Sequence, residues 1–220
     1  MKKWIALLLV LVMVLSMAAC GKDDIRGTQV ENKNETPEEK KPGFSLGQVS
    51  GLTYENPFIG IGCKLNNEWS FYDDAQIREM NNATADLAGE AYQEAMKNAT
   101  VVYDMYAVHE GGINNIIVNL EKVNALQLAA ADLEEVFQSQ MPTIKVSLEN
   151  MGYTNVTFEL AKITIGGKAF DGMYTTSDLG EYRMYQATIM IKCDGYLSSV
   201  SITTFDKAEL DSLLKCFYLL

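Results

Sequence analysis

From residue 156 to residue 205 the chain passes through four apolar-rich stretches, 156–165, 168–176, 181–193 and 196–205. The gaps between them carry turn signals: Gly166-Gly167, then residues 177–180, then Asp194-Gly195. Paired glycines and Asp-Gly supply the positive φ angles that a tight hairpin turn demands, so each arm folds back on the one before it. The segment therefore predicts a four-stranded antiparallel meander. In its first arm Val156, Phe158 and Leu160 fall out of phase with Ala161, Ile163 and Ile165, which predicts a bulge near Leu160.

The chain before the meander adds strands and helices in alternation. Residues 58–65 are short, apolar and glycine-punctuated, and Asn66-Asn67 marks a turn before Trp69-Ser70-Phe71-Tyr72. Asp73 can cap a helix over 75–97, which Asn81, Asn82 and Thr84 divide into two pieces; Leu87, Ala91, Ala95 and Ala99 share one face, with Ala88, Tyr92 and Met96 beside it. A hairpin over 100–109 and 113–123 turns at Glu110-Gly111-Gly112. In its second arm Ile116, Val118 and Leu120 alternate with Ile117, Asn119 and Glu121, the period of a strand with one buried face. A second helix spans 129–151, carries Pro142 as a kink or break, and meets a C-terminal cap at Gly152. Asp206 caps a closing helix that packs through Leu210, Leu213, Leu214 and Phe217. The fold class is α+β: an antiparallel sheet of about six to seven strands packed with helices in an α/β/α-type sandwich.

The front of the chain is different in kind. Lys2 and Lys3 precede an apolar run over 4–14, and Ala18-Ala19 stand directly before Cys20 and Gly21. A spanning helix needs about 20 apolar residues, more than this run supplies, and the order of charge, apolar run and small residues reads as an export signal. The segment resembles the lipobox of bacterial lipoproteins. That resemblance implies a diacylglyceryl group on the Cys20 thiol, removal of residues 1–20, and a membrane-anchored, extracytoplasmic location. Residues 21–50 are polar and charge-mixed, read as a disordered linker with an r.m.s. span of roughly 30 Å. Residues 51–220 form a single domain.

That domain holds eleven Lys/Arg against twenty-three Asp/Glu, a formal charge of −12. It repels nucleic acid and anionic headgroups, so neither is expected as a partner. The order of hairpin, helix, hairpin, helix, meander and helix resembles the PsbP/Mog1-like sandwich, as does the opening Phe58-Ile59-Gly60-Ile61-Gly62-Cys63-Lys64-Leu65 followed by Trp69. Members of that group are mostly non-catalytic accessory or binding modules.

Motifs that carry chemistry are few. His109 is the chain's one histidine and sits at a hairpin tip, read as an exposed turn residue; no G-x-S-x-G elbow or H-E-x-x-H pair accompanies it. Gly166-Gly167-Lys168 lacks the first glycine and the Ser/Thr of a phosphate loop, and Gly60-Ile61-Gly62 lacks the third glycine of a dinucleotide fingerprint. Asp73-Asp74 reads as helix capping rather than calcium ligation. No metal or cofactor is expected. Cys63, Cys193 and Cys216 lack C-x-x-C spacing, and either one disulfide with a free thiol or three buried thiols fits them.

Three functions remain. The leading one is a lipid-anchored, non-catalytic binding or accessory module with an unknown protein or cell-wall partner. The second is an enzyme acting on wall carbohydrate through paired carboxylates drawn from Asp171, Asp178, Glu181 and Glu55. The third is a carrier of a small apolar ligand, with a pocket beneath the late strands. Tyr174, Tyr182, Tyr185 and Tyr196, with Met173 and Met184, mark a possible binding surface there, or else the underside of a helix.

Overall fold

The computed structural model describes residues 43–82 and 89–220. The leader, Cys20 and residues 21–42 lie outside the described residues, as do Thr84, Leu87 and Ala88 of the first helical region.

Four strands open the fold: β1 (Gln48–Ser50), β2 (Thr53–Asn56), β3 (Ile61–Lys64) and β4 (Trp69–Phe71). Helices α1 (Asp74–Met80) and α2 (Gly89–Asn98) lead into the hairpin β5 (Val101–His109) and β6 (Asn115–Lys122). Helices α3 (Ala125–Ala130) and α4 (Leu133–Asn150) come next. The meander follows as β7 (Thr154–Ile165), β8 (Lys168–Leu179), β9 (Tyr182–Cys193) and β10 (Tyr196–Thr204), and α5 (Lys207–Leu214) and β11 (Phe217–Leu219) close the chain. A seven-stranded antiparallel sheet runs β4-β5-β6-β10-β9-β8-β7, and a four-stranded sheet runs β1-β2-β3-β11. The fold is α+β.

The small sheet is the main departure from expectation. Its strands are three or four residues long, too short to show a period, and β11 forms where the closing helix was expected to continue. Phe217 therefore packs from a strand paired to β3 at Cys63, not from α5. At Gly62 the Tyr218 ring lies so close that an added Cβ would come within 2.5 Å of it, so glycine is needed there.

The two faces of the large sheet are covered differently. On one, Val102, Ile116, Val118, Leu120, Ile189, Val200 and Ile202 meet Tyr54, Ile61 and Phe217 of the small sheet, Tyr92 and Met96 of α2, and Leu210 and Leu213 of α5. On the other, Leu133, Phe137, Ile144 and Leu148 of α4 pack on Met173, Met184, Met190 and Leu197. This division explains β7. Its pairing with β8 runs without a shift from Thr157 to Ile165, and the irregularity lies between Thr154 and Thr157, where Asn155 has φ 52°. The expected bulge near Leu160 is absent because the change of phase is a change of cover. Val156, Phe158 and Leu160 pack toward α4, whereas Ile163 and Ile165 join the core beneath the small sheet.

The helix expected over 129–151 breaks at Ala131-Asp132, not at Pro142. Asn124 caps α3 and Asp132 caps α4. Pro142 sits inside α4, and both it and Gln138, whose carbonyl loses its usual donor, are exposed, so water can replace the missing bond. Gly152, at φ 91°, ends α4. Its N–H reaches the Glu149 carbonyl and that of Tyr153 reaches Leu148, the paired bonds that a left-handed residue permits.

Ordered structure also begins upstream of residue 51. Phe44 stacks on Tyr196 at 4.8 Å and meets Phe58 edge-on, Leu46 is buried, and β1 occupies part of the expected linker. The Gly47 N–H donates 2.8 Å to Asp104, which also accepts from the Tyr54 hydroxyl and, at 2.7 Å, from the Asn56 amide. Asp104 lies at the β5 irregularity between Tyr103 and Met105, and burial raises its carboxyl above the usual range. Asn81 seals the bulge by bonding both the N–H and the carbonyl of Tyr103. Asp104→Asn turns an amide NH2 toward at least one of these three donors and is expected to cost about 2–4 kcal/mol by chemical denaturation. It should also speed proteolysis within residues 43–50; unchanged stability and cleavage would remove Asp104 as the clasp.

Candidate functional site

Alternation along β6 divides its side chains between two environments. Ile116, Val118 and Leu120 enter the core beneath the small sheet, so Asn115, Ile117, Asn119 and Glu121 project to the α3/α4 side. Strand register carries that polarity across the sheet. One row runs Asn115–Thr203–Gln186–Thr175, the next Ile117–Ser201–Thr188–Met173, and the third Asn119–Ser199–Met190. A fourth runs Glu121–Leu197–Lys192.

Some of these groups satisfy one another. The Ser199 hydroxyl donates to the Asn119 amide oxygen at 2.6 Å, the Gln186 amide donates to Thr203 at 2.9 Å, and Thr188 and Ser201 share a bond at 3.1 Å. Others are left over. Among the described residues Glu121 Oε2, Thr175 Oγ1, Gln186 Oε1 and both amide atoms of Gln140, on α4, are buried with no hydrogen-bond partner. Glu121, Thr175 and Gln186 are 5%, 0% and 3% exposed. An unpartnered buried polar group costs about 1–3 kcal/mol, and such groups are few in native proteins. Three of these residues share a sheet face, with Thr175 and Gln186 paired in the first row and Glu121 in the fourth, six residues further along the strands.

The same face opens at one end. A cleft of about 740 Å³ lies between the α3–α4 junction (130–134) and the strands, lined there by Lys162, Asp171, Met190 and Lys192. Met190 stands opposite Ser199 in the third row and is packed in the cluster under α4. Lys162 is paired with Asp171, Lys192 donates to the Ala131 carbonyl at 2.6 Å, and Lys168 sits 5.0 Å above the Phe170 ring.

The residues singled out from the sequence go elsewhere. Tyr174 and Tyr185 are half-buried against the core beneath the small sheet, on the face opposite Met173 and Met184. Tyr196 is buried among Phe44 and Phe58, and its hydroxyl donates to the Lys97 carbonyl at 2.8 Å. Tyr182 is 69% exposed at the β8–β9 turn, edge-on to Phe205. The four tyrosines therefore share no one surface: Tyr174, Tyr185 and Tyr196 lie on the side of the small sheet, and Tyr182 lies on the side of Met184.

The carboxylates divide between the two ends of β8 and β2. Asp171 and Asp178 stand seven residues apart on β8, about 23 Å at ~3.3 Å per residue and on opposite faces, far beyond the ~5–9.5 Å of a glycosidase pair. Asp178 accepts from Asn155 at 2.8 Å and lies 3.8 Å from Arg183, while Glu55, on β2, accepts from Tyr218. Glu181 is exposed in the β8–β9 turn.

His109 ends β5 rather than occupying the turn. Its ring meets Trp69 edge-on at 5.5 Å, its Nδ1 accepts from Gly111, and its Nε2 lies 4.0 Å from Glu68. A groove of about 600 Å³ passes these residues, with Glu209 and Cys216 on its far side. Cys63 is buried, which pushes its thiol up; Cys216 and Cys193 are half-buried and contact the carbonyls of Ser212 and Ile191. Among the described residues no group of three His, Cys, Asp or Glu could hold a metal ion, and no helix is long and apolar enough to cross a membrane.

The polar rows were not singled out from the sequence, although the alternation of Asn119 and Glu121 with apolar neighbours is visible there. It reads as the solvent side of a half-buried strand. Compared with known proteins, the chain matches no family model and no curated relative.

Glu121 gives the face a measurable property. Burial lifts its carboxyl to about 7, so between roughly pH 4.5 and 7 the folded chain holds a proton that the unfolded chain has released. Its contribution to stability must then fall as pH rises through that window. Glu121→Gln is expected to melt higher than wild type at pH 8 and to match it near pH 4.5. Parallel melting curves across that range would show that the carboxyl is not held neutral by the fold.

Proposed function

We propose that this chain is a lipid-anchored, extracytoplasmic bacterial lipoprotein that acts as a non-catalytic binding or accessory module, its domain a PsbP/Mog1-like sandwich. The observation that carries the binding role is the cleft of about 740 Å³ between the α3–α4 junction and the strands, which falls within the usual size of small-ligand sites.

Location follows from the lipobox-like segment ending at Cys20. A diacylglyceryl group there and about two dozen linker residues before Phe44 keep the domain within a few tens of ångströms of the bilayer. The acidic domain stands off anionic headgroups, leaving its faces available to wall polymer or neighbouring proteins. The carbohydrate-cleaving alternative needs two carboxylates across one cleft, and Asp171 and Asp178 stand about 23 Å apart on opposite faces of β8 at ~3.3 Å per residue. The apolar-carrier alternative needs space beneath the late strands, where Met173, Met184 and Met190 are packed against Phe137 and Leu148.

Metabolic labelling tests the anchor. Wild-type protein is expected to incorporate palmitate and fractionate with membranes, and Cys20→Ser to lose the label and either stay unprocessed or leave the membrane. Wild-type protein with no label would overturn the location.

A further inference from the structure

We infer that the end of the domain nearest its tether rests on the bilayer that carries the anchor, with helix α3 as the point of contact. The inference rests on the lipoprotein reading and adds how the anchored domain is held.

Strand direction defines that end. β6 finishes at Lys122, opposite Tyr196 at the start of β10, and β9 finishes at Cys193 on the other side of Tyr196. Phe44 stacks on Tyr196, so the chain from Cys20 enters the fold here, after about two dozen residues. The entry is fixed in place, because Leu46 is buried and Asp104 holds the Gly47 N–H. Helix α3 begins just beyond Lys122, capped by Asn124, and the Val123 N–H donates 2.9 Å to the Gly195 carbonyl in the β9–β10 turn. Tether and helix therefore share one end of the large sheet.

The composition of α3 suits an interface. Residues 123–131 carry no charge, in a chain of which 21% is charged. Leu128 is buried against the strands, whereas Leu126 is 83% exposed, more than any other large hydrophobic among the described residues. Leu126, Ala129 and Ala130 recur at the spacing of one helix face, and all three are exposed. A patch this small would not hold a free protein on a membrane. The tether makes the contact intramolecular, so a weak affinity suffices.

The domain's net charge argues for repulsion, and distance decides otherwise. Charges act over about 8–10 Å at physiological salt, while the twelve residues of β9 put the far end of the sheet about 40 Å away at ~3.3 Å per residue. Near α3 the charges balance. Lys97 pairs with Glu94 and Lys162 with Asp171, and Lys122, Lys168 and Lys192 stand against Asp132, Glu134 and Asp194. The connections at the far end hold Glu110, Asp178, Glu181 and Asp206 against Arg183 and Lys207. Anionic headgroups thus repel the far end and leave α3 free to touch. The strands then stand away from the bilayer, and both sheet faces stay clear of it.

Tryptophan fluorescence tests the contact. Trp4 lies in the leader, so the mature chain holds one tryptophan, Trp69, buried opposite His109 at the far end. The lipidated full chain is reconstituted into vesicles of phosphatidylcholine, alone or mixed equally with phosphatidylglycerol. Leu126→Trp should lose about a third or more of its added emission to lipids brominated at shallow depth, since an interfacial apolar face reaches about 5–10 Å into the headgroup and acyl boundary. Glu110→Trp, in the far turn, and Val146→Trp, at an exposed position of α4, should lose none. All three carry the same indole, so its own affinity for lipid does not distinguish them. Leu126→Trp that escapes quenching in either kind of vesicle, or is quenched no more than the other two, overturns the contact. So does emission loss that grows with protein density in unbrominated vesicles, which assigns α3 to a second copy of the chain. Either result with palmitate-labelled protein removes the contact and leaves the anchor, whereas wild-type protein without palmitate overturns both.

Discussion

A buried carboxylate joins the two sheets. Asp104 leaves the β5 ladder at a bulge and faces the small sheet, where it accepts from Tyr54, Asn56 and the backbone of Gly47. Removing a carboxylate from water is costly unless its lone pairs are met, and three donors from three points of the opening segment meet them. The cost and its compensation come from different parts of the chain, so the bond set forms only when the parts are assembled. Asn56 extends the arrangement by accepting from Phe58 and Ile59 as the chain turns toward β3. Once this contact is in place, β2 and β3 lie over the apolar face of the large sheet and β11 has an edge to join.

What could be read from the sequence follows from how local each signal is. The meander was legible because its turns are written in two residues each: Gly166-Gly167 and Asp194-Gly195 adopt positive φ at the glycines and set the register of the strands they join. The caps at Asp73, Asp206 and Gly152 are equally local. The small sheet was not legible, since three- and four-residue strands carry no period and β11 pairs with a strand some 150 residues earlier. The phase change in β7 was visible but misassigned to a bulge, because one strand does not reveal that two different layers will cover its two halves. Pro142 misled for a related reason. Its penalty depends on whether Gln138 faces water, which is a property of helix orientation and not of the residue pair.

The candidate site was less legible than the fold. Singling out Tyr174, Tyr182, Tyr185 and Tyr196 relied on residue type, yet alternation along the strands and the position of the turn separate them. The polar rows escaped because Asn, Ser, Thr and Gln on alternate positions are what a solvated strand face also contains. Burial distinguishes the two cases. A solvated Thr or Gln is satisfied by water, whereas Thr175 and Gln186 are enclosed with capacity unused, and only the assembled sheet discloses that.

The two faces therefore answer different demands. Beneath the small sheet the groups are apolar or, like Asp104, fully paired, and that side can supply most of the stability. The α3/α4 face is mixed: a methionine-rich cluster holds α4 down at β7 and β8, while the polar rows beside it keep donors and acceptors that the domain does not use. Methionine suits that boundary, because its unbranched, polarisable side chain fills irregular space without fixing one geometry. A helix seated on such a surface can adjust against the strands at lower cost than one locked by branched side chains. That leaves α4 freer to shift over the strands, while the opposite face, with the clasp and the small sheet, holds the fold.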